Sequence, residues 1–216
     1  GKDALTTSVD GNFNTALGYK ALEDYEDGAG NGHNTAVGAQ SQLNATTGEF
    51  NTSLGSLSMG SGITTGNHNT VLGYNSGISL TSGGENMIIG SFAGDNLTSG
   101  TRNVAIGYAA LTTEDGHGLN TAVGYQALKL LNANQNAVNT AIGYNAGASL
   151  VAGVNNSIVG GNAGDAMTSG SNNSIMGYDA GTALTTGVQN VLIGSSASDA
   201  LLTGERNVVM GHGALG

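Results

Sequence analysis

Short apolar runs recur along the whole chain, and polar and glycine residues frame each of them in the same way. The pattern Asn-x1-x2-x3-Gly, with a large aliphatic residue at x3, occurs twelve times. Eight of the eleven intervals between successive asparagines are 17 residues, and the others are 20, 18 and 19. A repeat of fixed period predicts an array of stacked, similar units. The asparagines, termed ladder asparagines below, are Asn14, Asn34, Asn51, Asn69, Asn86, Asn103, Asn120, Asn139, Asn156, Asn173, Asn190 and Asn207.

Glycine and small residues mark further fixed positions in each repeat. Three residues after the glycine of the pattern the residue is always Ala or Ser, and three residues before the asparagine it is Gly in nine repeats. Apolar runs of three to five residues between glycines are typical of short strands joined at tight corners. Seventeen residues are too few for a pair of helices. The pattern therefore predicts an all-β fold, a parallel β-solenoid of about twelve coils, each with two short strands and two turns.

Strand alternation divides the apolar run into two faces, because x1 and x3 point one way and x2 the other. Position x3 is aliphatic in every repeat, so we expect it to fill the core of the solenoid. Position x2 is also apolar except at Ser53, and a strand that is apolar on both faces is buried on both. We therefore expect x2 to pack against another copy of the chain, in a closed cyclic assembly. The interface candidates are Ala16, Ala36, Val71, Ile88, Ala105, Ala122, Ala141, Ile158, Ile175, Leu192 and Val208.

Composition excludes several other classes of protein. The 216 residues include 38 Gly but no Pro, Cys or Trp, and 15 acidic against 5 basic residues give a net charge of −10. Without Cys there is no disulfide framework and no thiolate metal site. The acidic balance argues against nucleic acid as a partner. No apolar run approaches the roughly 20 residues of a membrane helix, so we expect no membrane insertion.

The ladder asparagines have a structural interpretation. Stacked coils place equivalent side chains above one another, and stacked amides satisfy each other's donors and acceptors. We therefore predict a continuous ladder of side-chain amides along the rod, and no ligand role for these residues.

Three segments carry a family resemblance: 14–22, 34–38 and 120–128, which read NTALGYKAL, NTAVG and NTAVGYQAL. They resemble repeats of phage tail-fibre proteins and, more loosely, the head repeats of YadA-like trimeric autotransporter adhesins, where Ser-x-Ala-x-Gly replaces Asn-Thr-Ala-x-Gly. The resemblance implies a left-handed parallel β-roll assembled as a homotrimer. It also implies a structural and attachment role in a virion tail fibre, which presents a distal receptor-binding tip to a host surface glycan or protein.

Two alternatives to the tail fibre stay open. The first is an adhesin head on the bacterial outer surface, and the weaker second is a glycan depolymerase. We expect the chain to have no enzymatic activity, because the repeat face is uniform and offers no concave pocket. Residues 1–216 form a single repeat array that begins and ends in the middle of a coil. We therefore expect a segment of a longer fibre protein.

Three irregular stretches, 22–31, 113–119 and 129–138, are candidates for ligand binding. The first and third contain insertions, which map to surface loops in a solenoid. The second keeps the 17-residue spacing but changes the turn residues. The first carries Glu23, Asp24, Glu26 and Asp27, which form either a weak Ca²⁺ site or a solvated acidic loop. The third is rich in amides that could hydrogen-bond sugars. No other cofactor is expected.

Overall fold

The structure is a computed structural model that describes residues 1–7, 12–26 and 32–216. Its described part contains twelve three-residue strands and no helix, which confirms the all-β prediction. Each strand covers x1 to x3 of one repeat. The strands are β1 Thr15–Leu17, β2 Thr35–Val37, β3 Thr52–Leu54, β4 Thr70–Leu72, β5 Met87–Ile89, β6 Val104–Ile106, β7 Thr121–Val123, β8 Thr140–Ile142, β9 Ser157–Val159, β10 Ser174–Met176, β11 Val191–Ile193 and β12 Val208–Met210.

All twelve strands belong to one parallel sheet whose spatial order is the order of the sequence. The register places each repeat position directly above its equivalent, as Ala122 in β7 pairs with Ala141 in β8. The chain is therefore a parallel β-solenoid that advances by one coil per repeat. Eleven steps of about 4.8 Å give a rod about 53 Å long.

Each coil has one strand, whereas the sequence predicted two. The rest of the coil still bonds to its neighbours: Gln126 N–H donates to Tyr108 O at 2.9 Å, and Leu128 N–H donates to Ala146 O at 3.0 Å. The φ angles of Gln126 and Leu128 are 55° and 47°, in the left-handed region. Alternation of left-handed residues with ordinary ones turns the chain too sharply for a strand. The backbone on this side is thus paired between coils without being extended.

The position of the core corrects the assignment of faces made from the sequence. The x2 side chains point into the coil and are buried by the chain itself; Ala16, nearest the end of the array, is partly buried. They cannot form the predicted interface with another copy, because all of them except Ala16 are buried within the coil. The x3 side chains, predicted to form the core, point outward. The corrected inward residues are Ala16, Ala36, Val71, Ile88, Ala105, Ala122, Ala141, Ile158, Ile175 and Leu192, whereas Val208 occupies x1 and is exposed.

The core balances large and small residues across the coil. Where x2 is large, as at Ile88, the residue four places after the corner glycine is Gly94, and a Cβ there would lie 3.4 Å from the Ile88 side chain. Where x2 is Ala105, the same place holds Leu111, which is fully buried. The two positions share one volume, as close-packed interiors require.

This shared volume leads to a prediction about paired substitutions. We expect Ala105→Ile to destabilise the protein by about 1–3 kcal/mol, because its side chain competes with Leu111 for space. The second change Leu111→Gly should recover most of that loss, since it recreates the Ile88 and Gly94 pair. Denaturant unfolding of the two single variants and the double variant measures the coupling. Additive effects of the two substitutions would contradict the shared volume.

The polar x2 residue, Ser53, lies in a buried hydrogen-bond network. Its Oγ lies 2.5 Å from Ser41 Oγ and accepts a hydrogen bond from Gln42 Nε2 at 2.9 Å. Ser41 Oγ also lies 3.0 Å from Ser58 Oγ. The neighbours of Ser53 are thus polar as well, which satisfies its hydroxyl away from water.

Candidate functional site

An uncharged surface, aliphatic at x3 and mostly Thr or Ser at x1, runs along the rod on the outside of the sheet. It consists of the side chains at x1 and x3 of all twelve coils and is termed the outer sheet face. Leu54, Ile142 and Met176 on this face are 51%, 41% and 53% exposed. No x1 or x3 residue carries a charge. A face about 53 Å long and about 10 Å wide, three residues across, presents roughly 500 Å².

The outer sheet face, with its Thr and Ser side chains included, is about as large as the largest apolar patch on a typical soluble monomer. Soluble monomers seldom expose larger contiguous apolar patches than this, and such patches commonly mark interaction sites. Thr and Ser occur at x1 in most coils but never at x3. These hydroxyl residues, on the same side of the strand as x3, are the sequence signal that could have identified the outward face.

A column of aromatic side chains lies beside the outer sheet face. Six tyrosines directly follow the corner glycines. Tyr108, Tyr125 and Tyr144 in successive coils are stacked, with ring centroids 5.4 and 5.1 Å apart, and these three rings are 41–56% exposed. The tyrosine column therefore extends the apolar surface and adds hydroxyl groups at its edge.

A second aromatic column lies at the corner that precedes the ladder asparagines. Phe13, His33, Phe50 and His68 alternate in successive coils, and their rings are stacked 4.8 to 5.1 Å apart. Each of these residues has a φ between 48° and 61°. The shared backbone conformation points the four rings in the same direction, so they stack above one another in successive coils.

The predicted amide ladder is confirmed by the hydrogen bonds. Asn139 Oδ1 accepts the Asn156 N–H at 2.9 Å, and Asn156 Nδ2 donates to Gly170 O at 2.8 Å. The same two kinds of bond recur along the rod, for example from Asn34 to Asn51 and on to Gly66. A ladder asparagine such as Asn156 thereby bonds to the preceding coil through its backbone N–H and to the following coil through its side-chain amide, which is a structural role.

The first irregular stretch does not gather its acidic side chains. The Glu23 carboxylate accepts hydrogen bonds from Lys20 Nζ at 3.0 and 2.9 Å. Within the described residues, Glu23, Asp24 and Glu26 do not bring three ligand atoms close enough to share an ion. Asp27 lies outside the described residues. The weak Ca²⁺ candidate thus gains no support from Glu23, Asp24 and Glu26.

The second irregular stretch does gather ionisable groups. Ligand atoms of Glu114, Asp115 and His117 all lie within 4.8 Å of one another. Glu114 is fully buried, Asp115 is exposed and His117 is half-buried. Burial raises the pKa of Glu114, although the N–H groups of His117 and Ala133 act in the opposite direction. Sequence reasoning noted the altered turn here but missed this cluster.

The third irregular stretch folds back onto the coil. Leu131, Ala133 and Ala137 are buried, and Asn136 Oδ1 accepts the Gly118 N–H of the preceding coil at 3.0 Å. Asn136 therefore serves the backbone of the neighbouring coil. Asn134 and Gln135 are exposed.

These features define the chain as a parallel β-solenoid with one long apolar face, a buried amide ladder and one compact ionisable cluster in its described part. Comparison with known protein families, with curated proteins and with solved structures finds nothing that matches it. Among the described residues no helix has the length and apolar character needed to cross a membrane.

Proposed function

We propose that the chain is a structural and attachment segment of a homotrimeric fibre of the phage tail-fibre type. The observation that carries the proposal is the uncharged outer sheet face, which continues without interruption over twelve coils. The repeat segments at 14–22, 34–38 and 120–128 resemble tail-fibre repeats and favour three copies and a left-handed coil. The segment would act through its shape, because a stiff rod holds the distal receptor-binding tip away from the virus particle.

The partner of the outer sheet face is a second and a third copy of the same chain. Each copy carries the same positions at the same spacing along the rod, so parallel copies can meet in register over the whole length. An apolar face without charge is compatible with burial against its own equivalent around a three-fold axis. Three identical tips at the end of such a fibre convert weak contacts with a host glycan or protein into firm attachment.

The assembly is tested by measuring its mass in solution. We expect light scattering to give about three times the chain mass of 21.3 kDa. The double substitution Ile106→Asp and Ile142→Asp places two charges on the outer sheet face and should yield monomers, because unpaired charges oppose burial. Val151→Asp is the control, since Val151 is exposed outside the sheet. A monomeric unmodified chain would contradict the proposal.

An adhesin head is the second candidate, and the tyrosine column favours it. Exposed, stacked rings along the side of a rod can bind sugars or proteins of a host matrix directly. The chain flanking this segment distinguishes the two: a following coiled-coil stalk with a membrane anchor indicates an adhesin, whereas a tail-fibre chaperone domain indicates a fibre.

We propose no hydrolytic role. The weaker depolymerase hypothesis is tested by incubating the protein with capsular polysaccharide and measuring chain length. Shortened chains would overturn the proposal of a purely structural segment.

A further inference from the structure

Two residues of the coil 107–123 depart together from the pattern of the other coils. Glu114 lies six residues before a ladder asparagine, where the coils on either side of the irregular region place buried residues such as Leu80, Leu97 and Leu150. His117 lies three residues before the asparagine, where nine coils have Gly. A buried carboxylate in a column of leucines is costly unless something compensates its charge.

The two replaced positions touch each other in the regular coils. A Cβ at Gly100 would lie 2.6 Å from Leu97 Cδ1, and a Cβ at Gly153 would lie 2.6 Å from Leu150 Cδ1. A histidine in place of the glycine would therefore clash with the usual leucine. The pair Glu114 and His117 avoids that clash and changes an apolar corner into a polar one.

Polar atoms of this pair are buried without partners. Glu114 Oε1 accepts the His117 N–H at 3.1 Å, and Glu114 Oε2 has no hydrogen bond although the Ala133 N–H faces the carboxylate. His117 Nδ1 is also buried without a hydrogen bond and lies 3.5 Å from Glu114 Oε1. Native structures leave few buried polar atoms unsatisfied, and a bound ion is one way to satisfy them.

We propose that Glu114, Asp115 and His117 bind one divalent transition-metal ion of the Zn²⁺ class. The cluster offers one imidazole nitrogen and two carboxylates, a donor set that suits Zn²⁺ at about 2.0–2.2 Å from each ligand atom. Ca²⁺ takes six to eight oxygen ligands, more than the two carboxylates supply. The ion neutralises the buried Glu114 carboxylate and is bound by the lone pair of His117 Nδ1.

The exposure of the cluster to solvent is consistent with a metal site. Asp115 is exposed, so the third ligand lies at the surface, where water can complete the coordination of the ion. In the next coil the equivalent of the buried leucine is Ala133, a smaller residue. The site lies at a corner of the coil, away from the outer sheet face, so it does not depend on the proposed assembly.

The test is titration of the metal-free protein with Zn²⁺ alone, followed by calorimetry and thermal melting. We expect one Zn²⁺ per chain, and a melting temperature raised by about 5–10 °C when free Zn²⁺ is 100 times its Kd. Ca²⁺ at the same concentration should produce neither effect. Co²⁺ as a substitute should give visible absorption bands that report nitrogen and oxygen ligation.

The matched variant is Glu114→Leu combined with His117→Gly, which restores the residues of the regular coils and should therefore fold. It should lose Zn²⁺ binding while keeping the circular dichroism and oligomeric mass of the unmodified protein. His68→Ala controls for binding by another histidine, and Glu23→Gln with Asp24→Asn controls for the acidic stretch; both should bind Zn²⁺ normally. Absence of Zn²⁺ binding by the unmodified protein overturns the proposal, as does Zn²⁺ binding retained by the variant with Glu114→Leu and His117→Gly.

Discussion

Gly143→Ala is expected to disrupt the central coils and to destabilise the protein by more than about 4 kcal/mol. The φ of Gly143 is 139°, a conformation that L-residues rarely adopt, and a Cβ would overlap Gly160 O and lie 2.6 Å from Gly160 C. The neighbouring backbone cannot yield easily, because the Gly143 N–H is bonded to Val123 O at 2.8 Å. Denaturant unfolding followed by circular dichroism measures the loss at a fixed protein concentration.

Gly161→Ala is the matched control for this prediction. Gly161 lies one coil further on, outside the left-handed region, and a Cβ there would meet only the Tyr178 ring at 3.3 Å. Its free energy of unfolding should change by at most about 0.5 kcal/mol. Equal effects of the two substitutions would show that the corner geometry is not the cause.

Asn156→Ala is expected to lower the free energy of unfolding by about 3–5 kcal/mol. Asn156 is 1% exposed, and its amide accepts the Asn173 N–H at 3.0 Å and donates to Gly170 O at 2.8 Å. Alanine leaves that buried donor and acceptor, both in the next coil, without partners. Hydrogen exchange should show the loss concentrated around Asn173, because each coil contacts only its neighbours.

Asn96→Ala is the control for the ladder substitution. Asn96 is exposed, lies outside the left-handed region and keeps its backbone bond to Thr112 O. A change below about 0.5 kcal/mol is expected there. A similarly small effect at Asn156 would mean that the amide ladder contributes little to stability.

Much of the fold could be predicted from the repeat period of the sequence. Because the ladder asparagines recur at 17 residues, equivalent residues stack, and the parallel register of Ala122 on Ala141 follows. The amide bonds from Asn139 to Asn156 were predictable for the same reason. The number of strands per coil was not predictable. The second strand is absent because residues such as Leu128 (φ 47°) are left-handed, and since they are not glycines the sequence does not mark them.

The candidate site was only partly predictable. The stretch 113–119 stood out because its turn residues change, but the meeting of Glu114 and His117 depends on how the corner folds. Alignment to the other repeats would have shown both residues in positions otherwise held by leucine and glycine. The acidic residues at 23–26 were a weak Ca²⁺ candidate in the sequence, and in the structure Glu23 is paired with Lys20.

The sequence by itself determined the period, the stacking of equivalent residues and the presence of two apolar faces on every strand. The tertiary structure decided which of those faces is the core. Alternation states only that x2 opposes x1 and x3, and both sides are apolar. The coil encloses the x2 side because the small residue after each corner, such as Ala127, and the buried Leu128 close over Ala122. The x3 side is thereby left outside, where another copy of the chain can cover it.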